Sequence, residues 1–382
     1  MKILVALKYK LSLAFALIIV APGFAQEKFV ESYDAGDDMV VTVKTSHTSV
    51  IFETWNKNKV EVAAFIEGDA LSKEQKQALF DDWNFEVLGN SKNVVISSNA
   101  IGSWNGNSLS SLEAQMGKDF GTALDVSAEK FGEDNEIQPE ALGKIIERSV
   151  KIANGISYSK TTVIDENGIV KTIITTNKVK RIPAAKRTII IKMPKRTKTD
   201  INVRYGEIKM ADAFNVKAVL NHTPFTAERI DGAQTLINAS YAPVVVKDWQ
   251  YGTLYVKFVD TCDVEAAASI HLNANSSNVR LGSVVREAFV TGSFGTLIID
   301  SVASDFKQLE IVLRNTDASV SLPNNSFSFL FNGKKSSLQH PKLLQISTSN
   351  EGKRLIARGF YKNATQSRNV LVNADYSTLI LK

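Results

Sequence analysis

Apolar and polar positions alternate along residues 201–322, and again along 372–381, in one recurring phrase. Its plainest copy is Ile201-Asn-Val-Arg-Tyr205-Gly206-Glu-Ile208-Lys-Met210, and other copies span residues 237–246, 272–281, 290–299 and 372–381. The order is apolar, Asn, two variable positions, aromatic, small, variable, apolar, variable, apolar. Apolar residues at alternate positions specify a short strand with one buried face, and the small residue before it marks a tight corner. Looser copies centred on Thr223, Cys262 and Ala318 complete a small column of Gly206, Thr223, Ala242, Cys262, Ser277, Gly295, Ala318 and Ser377. Apolar columns follow two and four residues on, from Ile208 and Met210 in one copy to Leu379 and Leu381 in the last.

The centres recur every ~15–23 residues, near the period of solenoid repeats and wider than the ~8–12 residues of a hairpin array. The expected fold is therefore all-β, a parallel β-helix or solenoid-like stack of short strands. Asn202, Asn238, Asn273 and Asn373 each stand four residues before a centre. In a coil they would stack as a ladder of side-chain amides; as ordinary turn residues they need no such role.

Before residue 196 the phrase occurs once, at Val43-Lys-Thr-Ser-His47-Thr48-Ser-Val50-Ile-Phe52, with His47 in the aromatic place. Two helices interrupt the strands. One is expected at about 71–84, opened by the capping box Ser72-x-x-Gln75. The other is expected at about 139–153, with Pro139 in its first turn and Leu142, Ile145, Ile146 and Ile152 as its apolar face. Between them, residues 101–134 are rich in Ser, Gly and Asn and read as a long polar loop. Asp165-Glu-Asn-Gly168 and Ser349-Asn-Glu-Gly352 are hairpin signals. These elements divide the chain into a leader (1–25), a β-rich part with helical insertions (26–195) and a repeat region (196–382) continuous with it.

Lys2, Lys8 and Lys10, an apolar run over 11–20 and small residues before position 26 form a secretory signal peptide, with cleavage expected after Ala25. The run is shorter than the ~20 residues a span needs, and no later segment would cross a bilayer as a helix. Export places the protein in the periplasm, at the outer membrane or on the cell surface. It also changes the charge balance, because losing three leader lysines lowers 45 Lys plus Arg to 42, against 40 Asp plus Glu, and the net charge from +5 to +2. No basic stripe with interleaved aromatics appears, which argues against nucleic acid as a partner. The basic run over 178–187 reads as a solvated strand edge.

The leader, the segment Phe52-Glu-Thr-Trp55-Asn-Lys-Asn-Lys-Val60-Glu-Val62, the interrupted middle and the Tyr-Gly and Phe-Gly corners together resemble the bacterial putative-adhesin family of unknown function. That resemblance covers most of the exported chain. It implies a β-helix-like fold in a Bacteroidetes-type envelope, and it transfers no functional residues.

Candidate chemistry is sparse. His47, His222, His271 and His340 show no metal-ligand spacing, and neither a nucleophile elbow, a P-loop nor a dinucleotide fingerprint is present. Neither metal nor cofactor is expected. Asp260, Asp263, Glu265, Asp300 and Asp305 would serve a glycan-cleaving β-helix only if two carboxylates stood ~5–9.5 Å apart. Cys262, the single cysteine, is expected to be buried. Tyr205, Tyr241, Trp249, Tyr251, Phe294 and Tyr376 form the candidate binding surface, suited to a glycan or an envelope or surface protein, with packing between corners as the competing explanation. The reading is a non-enzymatic protein that binds or scaffolds. A β-helix lyase or hydrolase and a periplasmic partner in envelope-stress signalling are the alternatives.

Overall fold

A computed structural model describes residues 29–68, 71–81, 83–98, 144–153, 156–164, 170–178, 185–365 and 367–382. The leader and the polar loop at 101–134 lie outside the described residues. The fold is all-β, with twenty-six strands and one helix among the described residues. Contacts divide the chain into one unit of residues 1–102 and 186–382 and a second of 103–185.

In the larger unit the strands stack in two parallel ladders. The first runs Asn93–Ser98, Val40–Ser46, Lys198–Arg204, Val216–Asn221, Leu236–Ser240 and Thr253–Lys257, each hydrogen-bonded to the next. The second runs Lys186–Pro194, Thr48–Trp55, Glu207–Phe214, Phe225–Asp231 and Val244–Trp249. Three longer strands, Cys262–Asn275, Asn278–Ile299 and Gln308–Val320, bend so that each serves both ladders. Asn369–Asp375 and Thr378–Leu381 then close on Gln308–Val320. Parallel neighbours need a crossover between them. Here a strand of one ladder is the crossover for the other, so one corner joins each pair.

Alternation supplies the core. Ile201, Val203, Ile208 and Met210 are buried from one rung, and Ile237, Ala239, Val244 and Val246 from another, all in one cluster with residues of both ladders. Cys262 is buried as expected, but in a different column. It pairs with Val244 and Val279 in the first apolar column, while its own corner lies at Phe258 and Val259. Ala318 pairs with Leu297 and Leu379, so the small residue of that rung is Thr316. Burial, and secondarily the charge of Asp263, pushes the Cys262 thiol up to about 12. The thiolate is the reactive form, so a thiol reagent at pH 8 should label the native protein far more slowly than the denatured chain. Equal rates in the two states would place Cys262 at the surface.

The Asn ladder does not form. Asn202, Asn238 and Asn273 occupy alternate rungs, separated by Val219 and Tyr255, about two strand spacings or ~9.6 Å apart. Among the described residues, Asn332 and Asn373 are the cross-rung neighbours that bond, Nδ2 to Oδ1 at 3.4 Å.

One expected helix is present, as Lys73–Asp81. Its capping box is complete: the Gln75 N–H donates to Ser72 Oγ at 3.3 Å and the Ser72 N–H to Gln75 Oε1 at 2.9 Å. The helix expected at 139–153 is not found. Lys144–Ala153 is a strand, antiparallel to Ile156–Ile164, which pairs in turn with Val170–Lys178 to make the three-stranded sheet of the smaller unit. Its register shifts between Ile145 and Glu147. A bulge there breaks the strict period of two that marks a strand in sequence. The hairpin signal at 349–352 is realised by Leu344–Glu351 and Arg354–Tyr361, with Gly352 at φ 61°. Lys186–Pro194, flanked by the basic run, is no edge, since it pairs with Lys59–Glu67 on one side and Thr48–Trp55 on the other.

Candidate functional site

At each corner leading from the first ladder to the second the chain passes through one left-handed residue. His47, Tyr205, His222, Tyr241, Phe258, Phe294 and Tyr376 have φ between 49° and 62°, as do Ser276 at 48° and Asn315 at 47° to within a degree or two. This conformation is unfavourable by roughly 1–2 kcal/mol for an L-residue, and Asn tolerates it best. Stacking compensates at each rung. The His47 N–H donates to the Arg204 carbonyl at 3.0 Å, Tyr205 to Asn221 at 3.0 Å, His222 to Ser240 at 2.9 Å and Tyr241 to Lys257 at 3.2 Å.

The small column satisfies the N–H that follows. Thr223 Oγ1 accepts from the Gly206 N–H at 3.3 Å, Ser277 Oγ from Val259 at 3.0 Å, Ser377 Oγ from Thr316 at 3.1 Å and Ser336 Oγ from Ser377 at 3.0 Å. The same hydroxyls of Thr223, Ser277 and Ser377 donate to the carbonyl two residues back, at 2.8–2.9 Å. Serine and threonine therefore recur here because a hydroxyl can both accept and donate where the corner breaks the ladder.

The left-handed residues direct their side chains to the surface. His47, Tyr205, His222, Tyr241 and Phe258 stack as five consecutive rings, with centroids 5.1, 4.9, 4.7 and 5.2 Å apart. The stack stops at Ser276. Phe294, 62% exposed, stacks on no ring among the described residues, and exposed Tyr376 has the ammonium groups of Lys334 and Lys335 over it at 5.9 and 5.2 Å.

Of the sequence-derived surface residues, Tyr205, Tyr241, Phe294 and Tyr376 thus share one column. Tyr251 lies apart from it, exposed, with the Arg286 guanidinium 5.0 Å over its ring and bonded to its hydroxyl. Trp249 does not belong to the surface at all. It is 0% exposed, in an inward column with Ile230 and Ala267 beside it. Alternation breaks after Val246, where the burial pattern of Val244–Trp249 carries two successive outward residues before the Trp turns in. Phe258 was missed, although Leu254-Tyr-Val-Lys-Phe258 reproduces Ile201-Asn-Val-Arg-Tyr205.

The acidic residues do not assemble as a bare pair. Arg280 reaches Asp263 at 3.0 Å from Nη1 and Asp300 at 2.7 Å from Nη2, clasping carboxylates from rungs on either side. The described residues contain no group of three His, Cys, Asp or Glu that could hold a metal, and no helix among them is long and apolar enough to cross a membrane.

No family model matches the chain, and no curated protein matches it. Two solved structures are similar over most of its length. One is a putative cell adhesion protein from Clostridium sporogenes, at 8% identity and a TM-score of 0.20, covering 94% of this chain and 99% of that one. The other is a putative adhesin from Bacteroides fragilis, at 8% identity and a TM-score of 0.28, covering 93% and 97%.

Proposed function

We propose that this is an exported β-solenoid protein of the bacterial envelope or surface that binds an extended partner, a glycan or another envelope protein, without turnover. The observation that supports this most is Phe294. Its corner is built equally well at other rungs by Ser276 and Asn315, so geometry does not call for an aromatic there. Stacking accounts for the five-ring run, but no ring among the described residues covers Phe294, which leaves about three-fifths of it in water. A large apolar side chain held in a strained conformation and exposed is better explained by a partner than by stability. Tyr376, two rungs on with Asn315 between, extends the same column.

Two of the five candidate carboxylates, Asp263 and Asp300, are paired with Arg280 rather than left bare, which favours binding over cleavage. Two measurements test the reading. Protease added to intact producing cells should degrade the chain, whereas protection until the outer membrane is permeabilised would make it periplasmic. Incubated with polysaccharides and peptidoglycan fragments, the purified protein should leave them intact. Cleavage that Asp263→Asn abolishes would replace binding with catalysis.

A further inference from the structure

The outward face of the first ladder carries a depression of about 210 Å³ over four successive rungs, distinct from the corner column. We infer that it is a subsite for one neutral hexopyranose unit of a glycan, its walls being Tyr255 and the His271–Phe289 pair and its polar contacts Asn273, Thr291 and Glu310.

The depression follows from side-chain size along two outward columns. In the central one, Tyr255, Asn273, Thr291 and Val312 lie side by side across the rungs. Two short polar residues between two bulkier ones leave a hollow. In the next column His271 and Phe289 stack with centroids 4.6 Å apart and planes 7° from parallel, forming one rigid wall. Glu310, the neighbour of Phe289, ends that wall, and its Oε2 accepts from Gln308 Nε2 at 3.2 Å, which orients the carboxylate.

Three properties select the ligand. The volume falls below the ~300–1,000 Å³ of sites for drug-sized molecules, so it suits a single ring. The lining mixes ring surfaces with an amide, a hydroxyl and a carboxylate. A pyranose presents C–H faces to the former and hydroxyl groups, each donor and acceptor, to the latter. An aromatic side chain would cover those polar groups without pairing them, which is unfavourable. The third property is charge. Glu310 lines the hollow, and no Lys or Arg does so among the described residues, so a phosphate or an acidic sugar would be repelled.

The position fits a chain rather than a free sugar. The same rungs run into the corners Phe258, Ser276, Phe294 and Asn315, where the ring stack is interrupted. Exposed Asn275 and half-buried Ser276 make a polar path from the hollow to that gap. The inference rests on the binding reading above and names a ligand class and a place for it.

Saturation-transfer NMR on the purified full chain tests it, with glucose, galactose, mannose, N-acetylglucosamine and N-acetylgalactosamine each offered singly at millimolar concentration. At least one sugar should receive transfer. Tyr255→Ala, which removes a wall, and Thr291→Ile, which fills the floor with a residue strands accept, should each weaken that binding about tenfold or more. Unfolding midpoints close to that of the parent protein would show that both variants fold. Leu343→Ala, exposed and outside both the hollow and the corner column, should keep the signal. No transfer to any of the five, or transfer that survives both hollow variants, overturns the proposal, as does binding of N-acetyltryptophanamide with no sugar. Loss in Phe294→Ala alone would move sugar binding to the corner column, sinking the subsite while sparing the broader function. A failed subsite with surface exposure intact has the same meaning.

Discussion

Trp249→Ala should lower the stability of the larger unit by about 3–5 kcal/mol, the range for truncating a buried Phe or Trp. Phe294→Ala, in the same unit, should change it by no more than about 0.5 kcal/mol, as expected for an exposed site. The two residues read alike in sequence, as large aromatics close to a repeat corner. The structure separates them by burial, 0% against 62%. In its column Trp249 stands beside Ala267, a small residue that leaves room for the indole, so truncation opens a cavity that the neighbouring rungs, pinned by their ladders, cannot close. Its indole N–H is buried with no acceptor among the described residues. Trp249→Phe removes that unpaired donor while keeping much of the volume, and should cost clearly less than Trp249→Ala. Urea unfolding of the three variants decides the matter. If Phe294→Ala proved as damaging as Trp249→Ala, the assignment of one to core and the other to surface would be wrong.

Within the repeat region the buried face of the strands was legible from sequence, Trp249 apart, but their register was not. Alternation has period two, so a slip of one residue exchanges buried and exposed faces, whereas a slip of two leaves them unchanged. Cys262-x-Val264-x-Ala266 and Ala318-x-Val320-x-Leu322 fit the small and apolar columns of the template, yet both sit two residues too far along. At Cys262 the corner contains one residue more, Asp260 and Thr261 lying between Val259 and the buried strand where Tyr241-Ala242 needs only Pro243. What resolves the ambiguity is the left-handed residue, because it alone has no period. Aligned on Tyr205, His222, Tyr241, Phe258, Ser276 and Phe294, the rungs fall into step. Ser276 and Asn315 hide that marker by replacing the ring with the small polar residues such a backbone also accepts. The hollow at Asn273 and Thr291 was illegible for a related reason: it depends on which residues stand side by side across rungs, and so on the register itself.

Gly295→Ala should cost about 3 kcal/mol, toward the upper end of what overpacking does, although the substitution adds a single methyl group. A Cβ at Gly295 would lie 2.0 Å from the Ser277 carbonyl oxygen and 2.9 Å from its carbon, and one at Gly206 would lie 2.2 Å from the Thr48 carbonyl oxygen. These obstacles are backbone, with no rotamer to turn aside. Ser277 is held from two directions, its hydroxyl donating to Asn275 and accepting from the Val259 N–H, so its carbonyl cannot retreat without disturbing two further rungs. Thr223, Ala242, Ser277 and Ser377 hold a Cβ at this position in other rungs, so the obstacle at Gly295 is the local approach of the Ser277 carbonyl. Gly352 provides the contrast. It has the left-handed φ of 61° and nothing within 4 Å of its added Cβ, so Gly352→Ala meets only the conformational penalty of roughly 1–2 kcal/mol. An argument from glycine's backbone freedom alone would rank Gly352 as the more sensitive site, whereas close rung stacking ranks Gly295 first. Equilibrium unfolding of the two single variants distinguishes them, and a loss at Gly295 no larger than that at Gly352 would mean that the rungs are not in tight contact at this corner.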